Sequence, residues 1–243
     1  MSSSSTISQE MPFLSHLAEL RSCLGKSVLA IFICSLACFS VSGYFFQILT
    51  QPVQDAFTQF ELVGLTPAEG FIVKIKVGLV AGALVSCPYW FFQIWRFISP
   101  GLHENEKKFA LPFVSITTII FLTGVAFCFF LILPFAFEFF FQEYESIGVA
   151  PTIRIGEYLN FVVRLIFIFG FVFELPVITY FLARFDLVTA PWLIKKFRYA
   201  IVIIFVLAAI ITPPDIITQV MLALPLIILY GISIIVAKVV AKK

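Results

Sequence analysis

Any catalytic or recognition chemistry in this 243-residue chain must be done with fourteen carboxylic side chains, two histidines and five cysteines. His103-Glu104 opens like the HExxH pair of zinc proteases, but position 107 is Lys, so the second metal ligand is missing. The aspartates Asp55, Asp186 and Asp215 fall in predicted loops between apolar runs, which leaves no aspartyl pair inside one. No GxSxG elbow and no phosphate-binding glycine loop occurs. Cys23, Cys34, Cys38, Cys87 and Cys128 show neither CxxC nor zinc-like spacing. Cys34 and Cys38 are i,i+4 in an apolar run, where Cys behaves as a small hydrophobe, so no disulfide is expected. The expectation is therefore no enzyme, no catalytic residue, no metal site and no cofactor.

Three segments carry carboxylates that remain as recognition candidates. In Pro12-Phe-Leu-Ser-His-Leu-Ala-Glu-Leu-Arg-Ser-Cys-Leu24, the residues Phe13, Leu14, Leu17, Leu20 and Leu24 form one helical stripe. His16 and Glu19 lie i,i+3 on the opposite side. The plain reading is an interfacial helix with solvated charges. Between Gln93 and Lys108, Trp95 and Phe97 stand at headgroup level, and Glu104 and Glu106 sit just before Lys107 and Lys108. The plain reading there is a solvated basic loop. Glu174, in Phe-Gly-Phe-Val-Phe-Glu-Leu-Pro176, is embedded in apolar sequence. A charged residue such as Asp at the centre of a membrane helix costs about 2.5–3.5 kcal/mol, so Glu174 is either functional or a structural hydrogen bond between helices.

The elements that hold these residues follow from composition. The chain is 61% apolar and 12% charged, with 31 Phe, and its mean hydropathy is +1.06. A water-soluble domain carries about 25% charged residues. This chain is an all-α polytopic membrane protein, with the bilayer as its main solvent. Its net charge of +2 gives no reason to expect nucleic acid.

Six spans are predicted, at about 28–49, 77–97, 109–138, 161–182, 199–211 and 216–236. An interfacial helix over 12–25 precedes them, residues 1–11 are a disordered polar start without signal-peptide character, and 238–243 form a short basic tail. The membrane part, 12–237, is read as a single domain. The third apolar run extends to Phe141 and carries Pro112 and Pro134 as expected kinks. The fifth, Tyr199–Ile211, has 13 apolar residues, about 20 Å of helix, and is too short for a core of about 30 Å. Twelve of the sixteen Lys and Arg lie before span one, between spans two and three, between four and five, or after six. The loop from Thr50 to Val73 has none. Both termini are therefore expected in the cytoplasm.

Taken together these segments resemble the TatC family, the multi-spanning subunit of the twin-arginine (Sec-independent) protein translocase. His16-Leu-Ala-Glu19-Leu-Arg21 resembles its N-terminal signature. Trp95-Arg-Phe97-Ile-Ser-Pro100-Gly-Leu-His-Glu-Asn-Glu106 resembles its first cytoplasmic loop, and Phe173-Glu174-Leu-Pro176 its helix-four motif. Thr212-Pro-Pro-Asp215-Ile-Ile-Thr-Gln219 resembles the last outer turn and the start of helix six. Pro52 and Thr66-Pro-Ala-Glu69 resemble positions of the outer cap. One departure is Cys23, where many members carry a second basic residue after Arg21.

The resemblance implies a six-helix, concave, cup-like arrangement in the bacterial cytoplasmic membrane. It implies a receptor for Arg-Arg signal peptides of folded proteins, using Glu19, Glu106, Arg21 and Phe97. Guanidinium is always charged and its fork suits bidentate carboxylate contacts, so acids on a basic face fit that ligand. It implies single-span TatA-type and TatB-type partners and further copies of the chain, surrounding lipid, and transport driven by the proton-motive force. Glu174 and Gln219 would be intramembrane polar or docking positions, and Pro52, Glu69 and Asp215 structural ones. Two other readings stay open from the residues: a carrier that couples protons through Glu174, and a scaffold that only anchors partner helices.

Overall fold

The computed structural model describes residues 7–56, 62–98, 110–211 and 215–241. Their elements are α1 (Ile7–Phe39), α2 (Ser42–Ala56), β1 (Leu62–Val63), α3 (Glu69–Val85), α4 (Cys87–Ile98), α5 (Ala110–Phe127), a π-helical turn (Cys128–Ile132), α6 (Leu133–Ser146), β2 (Ile153–Arg154), α7 (Ile155–Phe173), α8 (Leu175–Arg184), α9 (Ala190–Ile211) and α10 (Ile216–Val240). The chain divides into two compact units. One joins Met1–Phe46 with Lys74–Thr118, and the other joins Gln47–Val73 with Ile119–Lys243.

In the first unit, a single helix carries both the expected interfacial stretch and most of the first span. It stops at Phe39, because Ser40-Val41-Ser42-Gly43 combines poor helix formers. The turn is closed by Val41 N–H donating to the Cys38 carbonyl at 3.1 Å. The apolar helix is thus Leu17–Phe39 rather than one run over 28–49. Gly78 and Gly82, four residues apart on α3, press that helix onto α1. A Cβ at Gly82 would lie 2.4 Å from the Ser35 backbone, and one at Gly78 would lie 3.1 Å from Phe39. This is small-residue packing of the kind membrane helices use, since bilayer gives them no hydrophobic drive to associate. The second span is a bent pair: α3 and α4 meet at 56° across Ser86. Pro88 lacks the N–H that would bond the Leu84 carbonyl, and the freed turn is held by Trp90 Nε1 donating to the Ala83 carbonyl at 3.1 Å. The far half, α4, lies against α1.

The third apolar run stays helical from Leu111 to Ser146, and from Ile119 onward it belongs to the second unit. Pro134 is absorbed without a break. The turn before it widens to π geometry, with Leu133 N–H reaching the Cys128 carbonyl, which relieves the clash a proline ring makes with the carbonyl four residues back. The buried stripe of α7, Tyr158, Leu159, Val162, Leu165, Ile166 and Phe169, has helical spacing and forms the centre of the core. Gly124 and Gly170 let α5 and α7 touch: a Cβ at Gly124 would be 2.6 Å from the Phe169 carbonyl oxygen, and one at Gly170 2.6 Å from the Phe121 ring. Helix α10 lies along both α8 and α9. The α8–α9 turn passes through Asp186 at φ 57°, a left-handed conformation that Asp tolerates better than most residues.

Six spans are expected from sequence. Among the described residues, four helices are long and apolar enough to cross a membrane, or five with the bent pair counted as one span. The difference lies at the expected fifth span. Its apolar run belongs to α9, a 22-residue helix whose early turns carry Lys195, Lys196 and Arg198.

Candidate functional site

The expected recognition residues occupy the first unit. Glu19 and Arg21 stand exposed on α1, two residues apart, while Cys23 faces inward and is buried. Leu17, Ala18, Arg21, Ser22, Gly25, Lys26 and Leu29 line a shallow open depression along this helix. Phe97 is half-buried near the end of α4. The preceding turn is fixed by Trp95, which stacks on Phe113 of α5 at 4.3 Å between ring centroids. The structure places Glu19, Arg21 and Phe97; Glu104 and Glu106 lie outside the described residues.

Glu174 sits at the junction of α7 and α8, 5% exposed. The helix tightens there, with Glu174 N–H donating to the Phe171 carbonyl at 3.1 Å, and restarts with Ile178 N–H donating to the Glu174 carbonyl at 2.8 Å. Pro176, the second residue of α8, removes the donor that would have carried the regular ladder through. The carboxyl lies beside the backbone of Phe121 on α5, and its Oε1 is buried without a hydrogen-bond partner among the described residues. Gln219 does not supply one. Its Nε2 donates to the Phe205 carbonyl at 3.0 Å and ties α10 to α9. Asp215 caps α10: its Oδ1 accepts from Thr218 N–H at 2.7 Å, and its other oxygen accepts from the Thr218 hydroxyl.

The most completely built polar site is at Glu69, 6% exposed at the first turn of α3 and ahead of the apolar part of that span. Oε2 accepts from Leu65 N–H at 2.8 Å, one turn back in its own segment. Oε1 accepts from Arg154 Nε at 2.9 Å and from Gly156 N–H at 3.2 Å. One carboxylate thus serves the N-termini of two helices, α3 and α7, and neutralises a guanidinium between them. Both helix dipoles favour a negative charge at that point. The Leu65 amide, then the Arg154 guanidinium, hold the Glu69 carboxyl below the usual carboxylate range, while burial pulls the other way. The parallel pair Leu62↔Ile153 and Val63↔Arg154 joins the same two segments. Tyr158 donates to the Leu49 carbonyl at 2.7 Å, close to Pro52, which is buried within α2.

Glu69 and Pro52 stand out in the sequence, whereas Arg154, Gly156 and Tyr158 are not singled out there. One signal was legible: Arg154 is among the few cations that fall outside the basic segments.

The family described as Sec-independent protein translocase protein (TatC) matches residues 15–225. The chain belongs to the TatC family. Every site residue from Glu19 to Gln219 falls inside the matched region. The Sec-independent protein translocase protein TatC of Helicobacter pylori strain ATCC 700392 / 26695 is 44% identical over 225 residues, covering 93% of this chain and 87% of the relative. The TatC of Aquifex aeolicus strain VF5 is 36% identical over 234 residues, covering 96% and 97%. A crystal structure described as the twin arginine translocase receptor TatC superimposes with a TM-score of 0.85 at 36% identity, covering 93% of this chain and 99% of that one. The TatC fold, a multi-pass helical membrane architecture, and a role in a protein translocase rather than an enzyme follow from this match.

Proposed function

We propose that this TatC-family chain is the receptor that binds the Arg-Arg n-region of signal peptides on folded export substrates. The observation that carries the reading is Glu19, exposed on α1 within the His16–Arg21 segment of the matched region. Glu106, in the loop after α4, is the second acid. A carboxylate pair suits two guanidinium groups, each able to take bidentate contacts. Arg21 orients the acidic face, and Phe97 offers an aromatic surface to the start of the apolar h-region. The h-region then lies along the helices within the bilayer.

The chain sits in the bacterial cytoplasmic membrane with both termini inside, as its basic loops favour. It assembles with TatA-type and TatB-type single-span subunits and with further copies of itself, and the proton-motive force drives transport. Support for partner docking comes from Glu174. A buried oxygen left unpaired costs about 1–3 kcal/mol, which a polar side chain from a partner helix recovers.

Site-specific crosslinking to an Arg-Arg signal peptide tests the receptor role. Glu19→Ala and Glu106→Ala should each weaken the crosslink about tenfold or more, as loss of a charge-assisted hydrogen bond does, with protein level unchanged. Glu104→Ala should matter less. Full crosslinking by both Glu19→Ala and Glu106→Ala would remove the proposal.

A further inference from the structure

We propose that the basic first turns of α9, whose inward face is anchored on the ends of α8 and α10, are a seat for the headgroup of an anionic phospholipid. Ala183, Ala190, Leu193 and Ala237 form a buried cluster that holds the three helix ends together. Tyr230 on α10 donates to the Leu193 carbonyl at 3.1 Å and fixes the same corner. On these helix ends Arg184, Lys195, Lys196, Arg198 and Lys238 are each exposed, as is the acid Asp186. Two cations converge on one exposed ring: Lys196 Nζ is 5.1 Å and the Arg198 guanidinium carbon 4.8 Å from the Tyr199 centroid. Arg198 Nη2 also donates to the Tyr199 hydroxyl at 3.0 Å. The ring holds both cations in place, so less side-chain entropy is lost when a phosphate arrives.

The occupant follows from what continues the patch. Helix α9 turns Leu193, Ile204, Ala208 and Ile211 inward, and these are buried. Its opposite stripe runs from Trp192 through Lys195, Lys196 and Tyr199 into Val202, Ile203, Val206 and Ile210, which are 53–67% exposed. The cations therefore crown an apolar face made for acyl chains. A lipid satisfies both halves at once, phosphate on the lysines and tails on the valines and isoleucines. An acidic protein segment satisfies only the first. Basic segments at the membrane surface attract anionic headgroups in this way.

Titrating the detergent-purified chain with dioleoyl phosphatidylglycerol or dioleoyl phosphatidylcholine, and reading the unfolding temperature, tests this. Phosphatidylglycerol should raise it and phosphatidylcholine should not. Lys195→Gln with Lys196→Gln keeps the Arg198–Tyr199 bond and should need about tenfold more phosphatidylglycerol for the same shift. Arg198→Lys, which keeps the charge, should retain selectivity. Equal shifts with both lipids, or undiminished selectivity in the double variant, would overturn the proposal. So would a double variant that keeps lipid selectivity but loses crosslinks to single-span partners, since the patch would then belong to a protein.

Discussion

Glu69 and Gly156 are coupled through a single oxygen. A Cβ at Gly156 would sit 2.7 Å from Glu69 Oε1, so Gly156→Ala must push the carboxylate off the α7 N-terminus. The displaced atom is the far end of a side chain, so the loss is chiefly the Gly156 hydrogen bond, read as a modestly lower thermal unfolding temperature. Glu69→Gln keeps the shape and removes the charge. Because the folded pKa of Glu69 is lowered, its contribution is complete above the ordinary carboxyl value of about 4.3 and is lost as pH falls through the lower folded value. Unfolding temperature against pH should therefore drop in that acid window for the wild type, with a smaller drop for Glu69→Gln. At Glu174 the two roles separate by substitution. If the side chain docks a partner through hydrogen bonds, Glu174→Gln keeps substantial export while Glu174→Leu loses partner crosslinks. A Gln variant with normal assembly and no export would instead assign it to proton transfer.

Helices in this chain are decided by prolines and glycines more than by hydropathy. The apolar runs located nearly every helix, but not what happens inside them. Pro134 and Pro176 are both prolines in apolar sequence, yet the first is absorbed by a π turn and the second ends α7. The local hydrogen bonds differ, with Leu133 N–H reaching the Cys128 carbonyl at the first and Glu174 N–H turning back to the Phe171 carbonyl at the second. The closeness of Gly78 and Gly82 to α1 was not read from the sequence, and that of Gly156 to Glu69 joins positions 87 residues apart and has no local signature. Glu19 and Glu174 were legible because a carboxylate is conspicuous among Phe and Leu. Arg154 stood out only as a cation outside the basic segments, a position that gives no hint of its partner. The basic start and 13-residue apolar run of α9 lead to a further expectation. The bilayer beside α9 is thinned to meet it, so inserting one extra turn of leucines after Val202 should impair export in a transport assay while membrane insertion stays normal. Unchanged export would make the thinning incidental.

At the scale of the whole chain, charge placement predicts orientation. Reporter fusions after Pro52 and Ser146 should be active only outside the cytoplasm, and those after Leu102 and Thr189 only inside; a cytoplasmic signal at Pro52 would overturn the topology. If this TatC-family chain recognises Arg-Arg signal peptides through two carboxylates, export of folded cargo must depend on both. The most direct measurement is export of a folded reporter in a bacterial strain lacking its own TatC and carrying this chain with compatible single-span partners. The wild-type chain should export the reporter behind an Arg-Arg signal and not behind a Lys-Lys one. The Glu19→Ala, Glu106→Ala double variant should accumulate normally in the membrane and export none. Normal export by that double variant would contradict the account.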